Sequence, residues 1–143
     1  MLHAVKKTDK RIKEVLDNLR IEDETEMYLE FGENWKNIVF DSAIKSDIEI
    51  MVDEENNSVG FYGIRELDHD TAEVCLLTSD KLKNNTLSFI FGAKRVVKKW
   101  LKQYKRLQNY IYKHNRSGIR WLKMLGFTLN EFDDKRMYFF IGE

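Results

Sequence analysis

Leu107-Gln108-Asn109-Tyr110-Ile111-Tyr112-Lys113-His114-Asn115-Arg116-Ser117-Gly118-Ile119-Arg120-Trp121-Leu122-Lys123-Met124-Leu125-Gly126-Phe127 is the stretch that decides the fold. Its first seven residues are rich in β-branched and aromatic side chains and read as a strand. Asn115 ends that strand and suits a helix N-cap, because its side-chain oxygen can accept an unpaired first-turn N–H. Ile119, Leu122 and Leu125, with Trp121 beside them, recur at helical spacing and give the next segment one apolar face. Gly126 stands where a C′ residue takes a left-handed conformation and stops a helix. Phe127 then opens a new strand.

Upstream of this unit the longest helix is expected from about Thr86 to Tyr104. Ile90, Ala93, Val97, Trp100 and Tyr104 fall at steps of three and four and mark its buried face. Lys94, Arg95, Lys98, Lys99, Lys102 and Lys105 cover the rest as a solvated face, with no zinc-finger, RNP or basic-zipper pattern to suggest nucleic acid. Before it, Ala72–Leu77 reads as a strand, and Ile48, Ile50 and Val52 alternate in another. Asn56-Asn57 supplies a turn from that strand to its hairpin partner, Val59–Ile64. Residues 22–45 are acidic and helix-prone, with Met27, Phe31, Trp35, Ile38 and Val39 as a discontinuous apolar stripe and Gly32 placed to break it. Thr8 can cap a first helix with Ile12, Val15, Leu16 and Leu19 on its apolar face, and Leu2–Lys6 forms an edge strand. Downstream, a turn at Asp133-Asp134 leads to a closing strand at Met137–Ile141.

The 143 residues suit one domain, 1–143, large enough to bury a core. Hydrophobic residues make up 43% and charged residues 34%, a composition with no disorder signature. No apolar run reaches the roughly 20 residues of a membrane span. The first five residues carry no signal-peptide pattern, and the single cysteine suits a reducing compartment, so cytoplasm, or a virus growing in one, is expected. Cys75 is the single cysteine, which excludes an internal disulfide, and its apolar surroundings predict a buried, inert thiol. His3, His69 and His114 are scattered without metal-ligand spacing, so no metal is expected. There is no Gly-x-Ser-x-Gly and no P-loop.

The formal net charge is zero, yet residues 1–80 hold 20 acidic against 9 basic side chains and residues 81–143 hold 4 against 15. Two readings are open: an anionic partner for the second half, or two halves whose charges attract each other.

The order of strand, helices, three strands, long helix, strand, helix and two strands argues an α/β (α+β) domain with a mixed sheet. The strand–Asn–helix–Gly-Phe unit resembles the C-terminal motif of the GNAT N-acyltransferase superfamily, and the element order is similar to that fold from about Leu2 to Ile141. More narrowly, Trp100-Leu101-x-x-Tyr104-x-x-Leu107-x-Asn109-Tyr110, Asn115 and Ile119 to Phe127 resemble the small GNAT-like proteins of tailed phages, including an internal virion protein branch. The resemblance implies a single domain with a mostly antiparallel sheet, a central parallel pair of splayed strands, and helices on both faces.

It further implies an acetyl- or acyl-CoA cosubstrate lying between Ala72–Leu77 and Leu107–Lys113, and an amine acceptor. Leu76, Leu77 and Thr78 backbone groups would hold the thioester arm, and the unit begun by Asn115 would pack against the pantetheine. The pyrophosphate would meet the N-terminus of the long helix, where unpaired N–H groups and partial positive charge favour anions. In the superfamily that loop is glycine-rich; here residues 78–86 have no glycine. Lys81 and Lys83 offer charge, Asn84 or Asn85 can take a left-handed turn, and Asp80 repels phosphate. The segment reads equally as a capped helix start.

The general acid of many members is a tyrosine seven residues beyond the capping asparagine, and here that position is Leu122. Glu73, on the gap-lining strand, is the candidate base, since a half-buried carboxylate there could have a raised pKa. A solvated strand glutamate is the other reading of Glu73. The function implied is acyl transfer to an amine; the alternative is a catalytically inactive structural or accessory protein of a phage, with other phage proteins as partners.

Overall fold

The helices and strands expected from the sequence appear, with shifted ends, in the computed structural model, which describes residues 1–143. In order these are β1 (His3–Lys6), α1 (Asp9–Asp17), α2 (Ile21–Phe31), α3 (Trp35–Lys45), β2 (Asp47–Val52), β3 (Ser58–Asp68) and β4 (Thr71–Thr78). A 3-10 helix (Asp80–Asn85) then runs into α4 (Thr86–Trp100), followed by β5 (Arg106–Tyr112), α5 (Arg116–Met124), β6 (Thr128–Glu131) and β7 (Arg136–Gly142). The strands form one seven-stranded sheet in the order β1-β2-β3-β4-β5-β7-β6. β1–β2, β2–β3, β5–β7 and β6–β7 pair antiparallel, and β4–β5 pair parallel. A parallel pair needs a long crossover connection, and α4 supplies it. No helix is long and apolar enough to cross a membrane.

The backbone divides into two compact units, and β3 and β4 each run through both. The first comprises Met1–Ile64 and Cys75–Thr86. Its core joins Ile12, Val15, Leu16 and Leu19 to Trp35, Val39 and Ala43 and to the strand residues Ile48, Ile50, Val52, Phe61 and Leu77. Thr8 caps α1 as expected, its hydroxyl accepting the Arg11 N–H at 3.2 Å. Gly32 takes φ +79° and ends α2, because that left-handed region suits a residue without Cβ. The break restarts the helical phase at Trp35. Trp35 and Val39 are therefore buried, while Phe31 and Ile38, expected on the same stripe, are 44% and 40% exposed.

The second unit comprises Arg65–Val74 and Leu87–Glu143. Phe89, Ile90 and Val97 of α4, Leu107 and Ile111 of β5, and Phe127 and Phe139 are its buried apolar side chains. Phe89 meets Trp121 of α5 edge-on at 5.2 Å, and Phe127 meets Phe139 likewise at 5.2 Å. The long helix stops at Trp100, short of the expected Tyr104, because Lys102 and Gln103 switch to the carbonyls three residues back. Tyr104 accordingly lies outside the helix and donates its hydroxyl to Glu66 at 2.9 Å.

Candidate functional site

The parallel ladder fixes the geometry. β4 and β5 pair at Thr71↔Arg106, Ala72↔Leu107 and Glu73↔Gln108, and there the pairing ends, although β4 continues to Thr78 and β5 to Tyr112. Along β4 the backbone groups alternate between two edges. Ser79 gives its N–H to Val59 of β3 at 2.9 Å, so the odd-numbered groups, Leu77 among them, serve β3. The even-numbered groups of Val74, Leu76 and Thr78 face the opposite edge.

Two of those three residues are held by side chains or backbone of their own unit. The Val74 carbonyl accepts Asn109 Nδ2 at 2.6 Å. Thr78 gives its N–H to Asp23 Oδ2 at 2.9 Å, and its carbonyl accepts the Arg20 N–H at 3.0 Å. Thr78 Oγ1 also donates to Asp23 Oδ2 at 3.1 Å, and Arg20 Nη2 lies 2.8 Å from Asp23 Oδ1. Asp23, Thr78 and Arg20 are all buried, at 4%, 0% and 8% exposure. Of the three backbone positions expected to hold a thioester arm, Leu77 is therefore spent on β3 and Thr78 on the segment Arg20–Asp23. Leu76 alone presents an N–H and a C=O that none of these groups takes.

Beyond Thr78 the chain does not form an open loop. Ser79 caps a 3-10 helix, its hydroxyl accepting the Lys81 N–H at 3.3 Å and its carbonyl the Leu82 N–H at 3.1 Å. The bonds from residue i to i+3 inside that helix use the donors that follow. Neither Asn84 nor Asn85 takes the expected left-handed turn; Asn56 is the only non-glycine residue with positive φ. The reason is the helix itself, which carries the chain straight into α4. Lys81 reaches back to Asn57 Oδ1 at 3.1 Å, beside the carboxylates of Asp53 and Glu14, whereas Lys83 is exposed. Burial pushes Asp53 up, but the N–H groups of Asn57 and Glu55 and the Lys81 charge outweigh it and hold its carboxyl below the usual range. Glu14 is lowered chiefly by its hydrogen bonds from Ser58, whose N–H lies 2.7 Å from Oε1.

Glu73 sits on the last paired rung, with Oε1 3.0 Å from Arg65 Nη2. It is a half-exposed ion pair on the strand surface rather than a lone carboxylate. Cys75, expected buried, is exposed, because it follows this polar pair along the same face of β4. Asn115 does cap α5: its Oδ1 accepts the Gly118 N–H at 3.0 Å, and the side chain is buried. Gly118 makes this possible, since a Cβ there would lie 2.8 Å from the Asn115 amide. Gly126 takes φ +96° after the helix, as its sequence position required. Leu122 is half-buried on α5, and Tyr110 packs against Phe132 and Tyr138 at 4.6 and 5.4 Å. No three His, Cys, Asp or Glu side chains cluster to hold a metal ion.

Arg20, Asp23 and Asn109 are the polar residues that sequence reading left without a role. Asn109 carried a signal, an asparagine in mid-strand where that residue is disfavoured. Asp23 carried none, standing in an acidic run whose other members face solvent or the protein surface.

By sequence, no family model and no curated protein matches the chain. Its backbone is similar to that of a GNAT-family acetyltransferase from Bacillus anthracis, with TM-score 0.75 and 16% identity over 99% of this chain and 94% of that one. It is similar also to the PaiA N-acetyltransferase of Thermoplasma acidophilum in complex with coenzyme A (TM-score 0.71, 13% identity, 100% and 99% covered). A third is the spermidine N-acetyltransferase of Vibrio cholerae in complex with CoA and spermine (TM-score 0.68, 13% identity, 99% and 94% covered). Identities this low speak for architecture alone: the chain has the fold of the GNAT acetyltransferases.

Proposed function

We propose that this protein binds an acyl-CoA and passes the acyl group to an amine. The observation that carries the reading is the early end of the β4–β5 ladder, which leaves Leu76 with an N–H and a C=O on an edge without a strand. A pantetheine arm, which carries two amides, is the kind of ligand that pairs with such an edge as a strand would. The Leu76 N–H is then the donor for the thioester carbonyl, where charge develops during attack. The amine nitrogen bonds to that carbon, the C–S bond breaks, the thiolate leaves as CoA, and the nitrogen sheds a proton to solvent. Lys83 is the cation at the start of α4 best placed to meet phosphate, with Asn84 and Asn85 beside it. The Asn115 cap orders the first turn of α5. The 1–143 chain acts as one domain in this reading.

A second reading rests on specific residues. Leu122 has no proton to give, Glu73 is paired with Arg65, and Thr78 and Lys81 are engaged elsewhere. These favour a GNAT-fold protein that has kept the scaffold without the chemistry, such as an accessory or internal virion protein of a tailed phage, in host cytoplasm or virion. Acetyl-CoA titration by calorimetry, followed by CoA release with a panel of amines, separates the two. Saturable heat with CoA release supports the enzyme. Heat without release supports the second reading, and no heat at millimolar acetyl-CoA refutes acyl-CoA binding.

A further inference from the structure

Asn109 stands in the middle of β5, half-buried, between Gln108 and Tyr110. Lys113 gives its N–H to Lys135 at 2.8 Å, and Glu143 gives its N–H to Lys105 at 2.9 Å, so the odd-numbered backbone groups of β5 serve β7. The even-numbered groups serve β4, as the Arg106 N–H does on the Asp70 carbonyl at 3.1 Å. Continued by this alternation and the register Glu73↔Gln108, the next rung would join the Tyr110 N–H to the Val74 carbonyl.

That rung is interrupted by one side chain. The Tyr110 N–H is donated to Asn109 Oδ1 at 2.7 Å, and Asn109 Nδ2 donates to the Val74 carbonyl at 2.6 Å. A carboxamide has the acceptor and donor of a peptide group, so it can stand inside a ladder and satisfy both sides at once. Two bonds in series with an amide between them replace one bond of about 2.9 Å. Neither backbone group is left unpaired where the strands open. An aspartate would lack the donor for Val74, and a valine would lack both partners.

We infer that Asn109 is a positioning residue: its carboxamide stands where the rung after Glu73↔Gln108 would form and so ends the parallel ladder, the feature on which acyl-CoA binding rests. This deepens the reading given under Proposed function and rests on it for the identity of the ligand.

The test uses the full chain, labelled with nitrogen-15 and carbon-13, in Asn109→Val and wild type, with Asn109→Gln as the conservative variant. In wild type the scalar coupling across a hydrogen bond should join Asn109 Nδ2 to the Val74 carbonyl, with none from the Tyr110 amide. In Asn109→Val the rung closes, and a Tyr110–Val74 coupling appears. Acetyl-CoA affinity should then fall by about tenfold or more, a change of about 1.4 kcal/mol, while Asn109→Gln, which keeps both hydrogen-bonding groups, stays within a few fold.

A direct Tyr110–Val74 coupling in wild type, or none in a folded Asn109→Val, overturns the inference. So does a closed rung with unchanged affinity. Should Asn109→Val not fold, Asn109→Thr replaces it with the same expectations. If wild type itself gives no heat with acetyl-CoA, the functional reading fails, and the couplings still decide whether Asn109 ends the ladder.

Discussion

Removing the Asp23 carboxylate should cost this protein a large part of its stability. Asp23→Ala deletes the acceptor of the Thr78 N–H and hydroxyl and of the Arg20 guanidinium, all at sites no more than 8% exposed. Breaking a buried ion pair by truncating one partner costs about 3–5 kcal/mol, chiefly because the remaining charge stays buried. Arg20 keeps a longer approach to Glu22, at 3.6 Å, which argues for the lower half of that range. The Thr78 donors lose their acceptor in the same substitution, and unsatisfied buried groups cost about 1–3 kcal/mol. A total of about 4–7 kcal/mol is a large share of the 5–15 kcal/mol typical of a domain, and at about 2.1 cal/mol/K per residue over 143 residues it lowers Tm by roughly 13–23 °C. Urea denaturation at neutral pH, with a thermal melt beside it, measures both. The double variant Asp23→Leu, Arg20→Met should recover part of the loss, since well-packed apolar replacements can match a buried pair. A loss below about 1 kcal/mol in Asp23→Ala would refute the reasoning, because surface changes alone reach about 0.5 kcal/mol.

Gly118→Ala should loosen the start of α5 by about 1 kcal/mol, the typical worth of an N-cap, because the new Cβ would lie 2.8 Å from the Asn115 amide; amide exchange in residues 116–119 reads it. The Glu14 carboxyl lies below its ordinary value in the folded state, so its contribution is full above the unfolded pKa of about 4.3 and is lost as pH falls through the lower folded value. Glu14→Gln should thus melt below wild type at pH 7, and the gap should narrow towards pH 3; an equal gap at both would contradict it. If turnover occurs, Leu122→Tyr supplies a proton donor and should raise CoA release, general acid catalysis being worth about 10²–10⁴-fold. Overpacking at the half-buried Leu122 costs about 1–3 kcal/mol, so a melt accompanies the assay.

What could be read in the sequence was what local spacing dictates. Asn115 and Gly126 bracket α5 because a cap and a left-handed stop are properties of a few neighbouring residues. Ile48, Ile50 and Val52 became β2 because alternation along six residues leaves little choice. The site depends on partners far apart in the chain. Asp23 and Thr78 are separated by 55 residues, and nothing within a window of either announces the other. The charge of Lys81 suits a phosphate, yet its ammonium has Asn57, 24 residues back, as its partner. Cys75 shows the same limit: an apolar run predicts burial, but which face of a strand is covered is decided by other elements.

The arrangement along β4 bears on how this protein behaves at high concentration. A strand edge with a row of bare N–H and C=O groups is a template for another chain, and natural sheets commonly blunt such edges. Here Asn109 occupies Val74, and Arg20 and Asp23 occupy Thr78, so the exposed step is one residue long. A step that short can pair with a small amide-bearing ligand but cannot register a foreign strand. The Asp23 carboxylate that takes up Thr78 thus guards the opening, and Asp23→Ala should precipitate under conditions where the wild type stays dispersed.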